Sequence, residues 1–174
     1  MAAEKEIGKS ARRRPAGNSR KEKPRSILIR RARSSDSTAL NGLYRQLHLG
    51  DYDSFGLTPS RMRRALEVVA RDPNQSLLVA THRSQIVGTL HVLIFRHLGH
   101  GLSPMAIVEN VIVHDAWRSK GVGERLIEAA IALARKHQCY KLSLTSNISR
   151  HRAHRFYERL GWRRTHHGYT FPID

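Results

Sequence analysis

The stretch from Met105 to Thr145 constrains the fold more than any other part of the chain. A β-rich run, Met105 to Val113, is followed by Arg118-Ser119-Lys120-Gly121-Val122-Gly123. A helix-forming run from Glu124 to His137 comes next, then a second β-rich run from Tyr140 to Thr145. Leu126, Ile127, Ala130, Ile131, Leu133 and Ala134 recur at helical spacing. Strand, helix and strand at this separation predict a parallel crossover of right-handed sense, with the helix laid on a sheet. The two glycines sit at the mouth of that helix. They let backbone approach a ligand, while first-turn N–H groups and the helix dipole favour negative charge there. Arg118 and Lys120 add two cations, so the hexapeptide reads as a pyrophosphate cradle. The plain alternative is a Gly-containing turn into a helix. A dinucleotide fingerprint needs a third glycine where Leu126 stands, and a P-loop needs Gly-Lys-Ser/Thr. Neither is present.

Elsewhere the pattern supplies the remaining layers. Ser26 to Arg30 predicts a first strand, and Ser35-Asp36-Ser37 caps a helix from Thr38 to Leu47. Gly50 to Leu57 is a loop. Thr58-Pro59-Ser60 starts a second helix carrying Met62, Leu66, Val68 and Val69, and Asp72-Pro73-Asn74 ends it. Ser76 to Thr81 and Ile86 to Phe95, joined by His82-Arg83-Ser84-Gln85, predict an antiparallel hairpin. His97 to Pro104 is a loop. A short helix from Ser149 to Leu160 ends at Gly161, and Trp162 to Phe171 is expected as a last strand. The order β-α-α-β-β-β-α-β-α-β predicts an α/β layered domain with a mostly antiparallel first half.

Charge separates a leader from this domain. Residues 1–34 hold 12 Lys and Arg against 3 Glu, about half of the net +17. Residues 1–25 have almost no apolar side chains and are expected to form a disordered basic tail, with one domain over 26–174. The leader lacks the apolar core of a signal peptide. Its glutamates and missing amphipathic face weaken a transit-peptide reading. No stretch approaches a membrane span, and Cys139, the one cysteine, fits a reducing, cytoplasmic setting.

A second motif turns the cradle into a family resemblance. Ala153-His154-Arg155-Phe156-Tyr157-Glu158-Arg159-Leu160-Gly161-Trp162 looks like the later helix–turn signature of the GNAT superfamily of N-acetyltransferases, ending in Tyr-x-x-x-Gly-aromatic. Arg118 to Gly123 matches that family's Arg/Gln-x-x-Gly-x-Gly/Ala motif. The resemblance implies a central mixed, mostly antiparallel sheet of about six to seven strands flanked by about four helices. It implies acetyl-CoA as co-substrate. Arg118, Ser119, Lys120, Gly121, Val122, Gly123 and Glu124 would wrap the pyrophosphate, and Val111, Ile112 and Val113 would offer backbone groups to the pantetheine arm. Tyr157 would protonate the leaving thiolate, unless it is only a core aromatic.

In enzymes that this chain resembles, a Glu at the position of Glu109 acts as general base, often through water, so the resemblance implies that role for Glu109. Simple alternation puts it on one strand face with Ile107, Val111 and Val113, where a carboxylate needs a partner or a function. A primary amine titrates near ~10.4, so freeing it at pH 7 costs roughly 4–5 kcal/mol, and only the neutral amine attacks a thioester. The alternative is a strand Glu paired with Arg. His114, His151, His154, His166 and His167 show no zinc spacing, and no metal is expected. His166, on the last expected strand, is the histidine best placed for the acceptor pocket.

The C-terminal third, from Thr145 to Tyr157, is similar to aminoalkylphosphonate N-acetyltransferases, as are Glu109 and Thr165-His166. Arg152 stands where those enzymes carry an Asp associated with a divalent metal. Metal and substrate are therefore not carried over, and Arg152 could face an anionic acceptor or only solvent. A small amine is the expected partner, with no membrane and a homodimer left open. Alternatives are peptide or protein N-acetylation, or a non-catalytic acyl-CoA or nucleic-acid binding protein using the basic tail. That tail lacks interleaved aromatics, which argues against nucleic acid.

Overall fold

The computed structural model describes residues 27–46, 58–96 and 98–173. The basic leader and the loop at 50–57 lie outside the described residues. The elements run β1 (Ile27–Arg31), α1 (Ser37–Tyr44), α2 (Pro59–Arg71), β2 (Gln75–His82), β3 (Gln85–Phe95), β4 (Met105–Val113), α3 (Val122–Lys136), β5 (Leu142–Ser143) and α4 (His151–Arg159). They form one sheet in the order β1-β2-β3-β4-β5, antiparallel except for the parallel β4–β5 pair.

Two apolar layers cover the sheet. On one face, Val122, Leu126, Ile127, Ala130 and Ala134 of α3 meet Leu78, Ala80, Val87, Leu90, Val92, Ala106 and Val108. On the other, Leu40 and Leu43 of α1 and Met62 and Leu66 of α2 meet Leu77, Val79, Ile86 and Ile112. Each fully buried Val, Leu, Ile or Met among them contributes roughly 1.5–3 kcal/mol. Local signals set the ends of α2: Thr58 Oγ1 accepts from Arg61 N–H at 3.2 Å, and Asp72 accepts from Asn74 N–H at 2.8 Å beyond the last turn. Asp36, buried beside α1, takes a two-pronged ion pair from Arg30 at 2.7 and 2.9 Å.

The described sheet has five strands rather than six or seven. Trp162 to Phe171, expected as the last strand, makes no ladder, and Tyr169 and Phe171 are exposed. A strand exists only against a partner, and β5 is paired over just two residues. The segment still runs beside the chain leaving β5, since a Cβ built on Gly168 would lie 3.7 Å from Thr145 Cγ2. Helix α4 starts two residues later than expected. Asn147 Oδ1 holds Ser149 N–H at 2.9 Å and Ser149 Oγ at 2.8 Å, spending those residues on a turn. Among the described residues no helix is long and apolar enough to cross a membrane.

Candidate active site

The site forms where β4 loses regularity. Across β3, Thr89 faces Ile112 and His91 faces Glu109, so β4 spends one extra residue opposite Leu90. Asn110, at φ +51°, absorbs it as a bulge. Asparagine tolerates this left-handed conformation better than most residues. Its side chain is hydrogen-bonded to the Tyr44 hydroxyl, which burial pushes up to about 12.

The bulge corrects the expected face of Glu109. Ala106 and Val108 face α3, and past the bulge Val111 and Val113 also pack toward α3. Ile112 faces α1 and α2. Glu109 therefore shares its face with Ile107 and Ile112, not with Val111 and Val113. Alternation continues through a regular strand but inverts where a residue is inserted. Glu109 is half-buried, and desolvation raises its carboxyl above the usual range.

The same region has an open edge. β5 pairs with β4 only at Ala106 and Ile107, so among the described residues no strand flanks β4 on that side from Glu109 onward. The slot leads to the start of α3, reached through a single helical turn at Asp115–Trp117. Ser119 (φ +60°) and Gly121 (φ +80°) are both left-handed, a curl that gathers successive backbone N–H groups around one point. Gly121 is the N-cap of α3 and has no side-chain cap bond. Arg118 is paired with Asp115 at 2.5 Å, and the Lys120 ammonium lies 5.2 Å from the Trp117 ring centroid. Both pairs are exposed enough for an incoming anion to compete for the cations. Arg118, Ser119 and Lys120 are exposed and Glu124 half-buried, whereas the Val122 side chain is core, leaving only its backbone for a ligand. Gly123 serves packing: a Cβ there would stand 3.1 Å from the Phe156 ring.

Through that contact α3 seats α4. Phe156 and Tyr157 meet edge to face at 5.1 Å, and Tyr157 lies 5.8 Å from Trp162. Burial raises the Tyr157 phenol, the Arg150 guanidinium opposes that rise, and the Glu109 carboxylate adds to it. Tyr157 packs beside the α3 face of the sheet, within reach of the Glu109 charge. Arg152 lies on the outer, exposed face of α4. His166 is exposed in the irregular C-terminal segment, its Nδ1 2.7 Å from Thr165 Oγ1.

Two residues escaped the sequence reading. Arg150 is the N-cap of α4, about two helical turns before Tyr157, whereas Arg152 is exposed on that helix. His91 interrupts the apolar run of β3, and only the β3–β4 register reveals Glu109 opposite it.

The sequence model of the acetyltransferase (GNAT) family matches residues 41–162. An aminoalkylphosphonate N-acetyltransferase of Salmonella typhimurium is 29% identical over 99 residues, 57% of this chain and 64% of that protein. A glucosamine 6-phosphate N-acetyltransferase of Trypanosoma brucei brucei is 32% identical over 79 residues, 45% of this chain and 52% of that protein. The chain thus spans less than two thirds of the length of either curated relative. Among solved structures, a transcriptional regulator from Bacillus halodurans is 31% identical with a TM-score of 0.78, covering 84% of this chain and 99% of that one.

Proposed function

The chain belongs to the acetyltransferase (GNAT) family, and from that premise we propose that it moves an acetyl group from acetyl-CoA to a small primary amine by direct attack in a ternary complex. The observation that carries this reading is the edge of β4 left open from Glu109 onward, ending at the left-handed turn and the start of α3. In the proposed reaction, the curled backbone at Ser119–Gly121 and the uncapped start of α3 hold the pyrophosphate, helped by Arg118 and Lys120. The free backbone edge of Val111 to Val113 holds the pantetheine arm as an added strand would be held.

The proton bookkeeping follows from the two titration shifts. A carboxyl raised by burial is a stronger base than an exposed one, which suits Glu109 to take a proton from the acceptor ammonium. The neutral nitrogen attacks the thioester carbonyl carbon, the C–N bond forms and the C–S bond breaks. Tyr157, kept protonated by its raised pKa, gives its phenolic proton to the leaving thiolate. The second nitrogen proton, released as the amide forms, restores the phenol.

The acceptor in this proposal carries a phosphate or phosphonate. The Salmonella relative is named for an aminoalkylphosphonate and the trypanosome relative for glucosamine 6-phosphate, both amines bearing a phosphorus oxyanion. In this chain the exposed Arg150, the N-cap of the helix that carries Tyr157, offers a cation that such a group can meet. Thiol release from acetyl-CoA should be measured with aminophosphonates, amino sugars with and without phosphate, polyamines and short peptides. Faster turnover with the phosphorus-bearing amines is expected, with Arg150→Ala raising their KM but not that of acetyl-CoA. Equal rates for uncharged amines would remove the anionic acceptor. Thiol release with none of the panel would contradict the transferase reading.

A further inference from the structure

His91 and Glu109 are direct partners across the β3–β4 ladder, so their side chains leave the same face as nearest neighbours. The His91 Nε2 atom is buried and has no hydrogen-bond partner. A buried polar atom left unsatisfied is costly, and proteins retain few such atoms without a use. The groups facing His91 are few. β2 places Leu77 opposite it, and α2 turns Met62 and Leu66 inward while its charged residues are exposed. α1 contributes Tyr44, whose hydroxyl is engaged by Asn110. Across the ladders, the residues directly opposite His91 are Leu77 on β2 and Glu109 on β4, so the carboxylate set against it by the register is Glu109.

We propose that His91 is a positioning residue for Glu109, its Nε2 accepting a hydrogen bond from the Glu109 carboxyl once that group has taken the acceptor's proton. The proposal rests on Glu109 being the base of the transfer reaction. In this step an N–H bond of the ammonium breaks and the O–H bond of the Glu109 acid forms; the acid then donates that O–H to the neutral imidazole as a hydrogen bond, and no further bond breaks. Burial lowers the His91 pKa, so the ring is neutral and free to accept near pH 7. The protonated form of Glu109 thus has an acceptor already in place on its own face of the sheet.

Three measurements on the full chain test this. His91→Phe, which removes the acceptor, should lower kcat roughly tenfold or more and shift the acidic limb of the pH–rate profile, with the KM for acetyl-CoA unchanged. His91→Gln keeps a hydrogen-bonding side chain and should recover part of the rate. Wild-type kcat and an unshifted limb in both variants would overturn the proposal. The third readout needs neither activity nor a folded His91 variant: the His91 imidazole is titrated by NMR in the wild-type protein and in Glu109→Gln. A displaced His91 titration in Glu109→Gln supports the coupling, and an unchanged one refutes it. Failure of every amine to react would instead count against the transferase reading, leaving this NMR comparison intact.

Discussion

Gly123 and Phe156 are in such close register that a single added methyl at Gly123 would stand 3.1 Å from the tip of the phenylalanine ring. The glycine at the start of α3 therefore sets where α4 sits, and α4 carries Tyr157 one residue beyond Phe156. Gly123→Ala should leave the fold intact, because a side-chain ring can yield a few tenths of an ångström. It should lower kcat roughly 10- to 100-fold, since small misplacements of a proton donor are amplified in rate. Thermal melts and steady-state kinetics on the same variant check this; wild-type kcat would mean that Phe156 adjusts without moving Tyr157.

Gly88 meets a harder wall. A Cβ there would lie 3.0 Å from the Ile112 carbonyl oxygen, 3.0 Å from Val122 Cγ1 and 3.2 Å from Leu126 Cδ1. Backbone cannot yield as Phe156 can, so Gly88→Ala should cost about 1–3 kcal/mol in a urea melt. A loss near zero would mean that β3 and α3 approach less closely than described.

The regular elements were legible in the sequence because each carried a local signal. Thr58-Pro59 marked α2, and the β-branched run at Met105–Val113 gave β4 to the residue. The bulge was not read, although two cues were present: Asn110 tolerates positive φ, and the consecutive apolar residues Val111, Ile112 and Val113 break alternation. An inserted residue is visible only against the partner strand, which is why Glu109 was assigned neighbours it does not have. The missing last strand has the same origin, since pairing depends on an edge that the segment itself does not encode. The turn from Arg118 to Gly123 into α3 was legible because it is one contiguous segment. The register that sets His91 opposite Glu109 needed the fold.

Asp36 ties α1 to β1 and gives the fold a titratable joint. Its carboxyl is held below the usual range, first by the Arg30 hydrogen bonds and against the penalty of burial. A depressed folded-state value stabilises above the unfolded pKa near ~3.9 and fades as pH falls through the folded value. Asp36→Asn should therefore cost about 1–3 kcal/mol at pH 7. The gap between wild type and variant should narrow as unfolding is repeated below about pH 4. A gap of constant size down to pH 3 would contradict the ion-pair account.

Tyr157→Phe isolates the proton donor without changing shape. Turnover should fall roughly 100-fold or more, while acetyl-CoA affinity, measured by calorimetry, stays within about twofold. Loss of affinity at constant turnover would make Tyr157 a packing residue of the cofactor slot.

In the proposed reaction Glu109 frees the amine beside the open β4 edge and Tyr157 supplies the proton to the leaving thiolate. The pH–rate profile of Glu109→Gln, run beside the wild type with the best acceptor of the amine panel, tests it most directly. The account predicts a deficit of roughly 100-fold at pH 7 that shrinks toward parity as pH approaches ~10, where the amine is already neutral. A Glu109→Gln profile parallel to wild type across that range, at any offset, would contradict it.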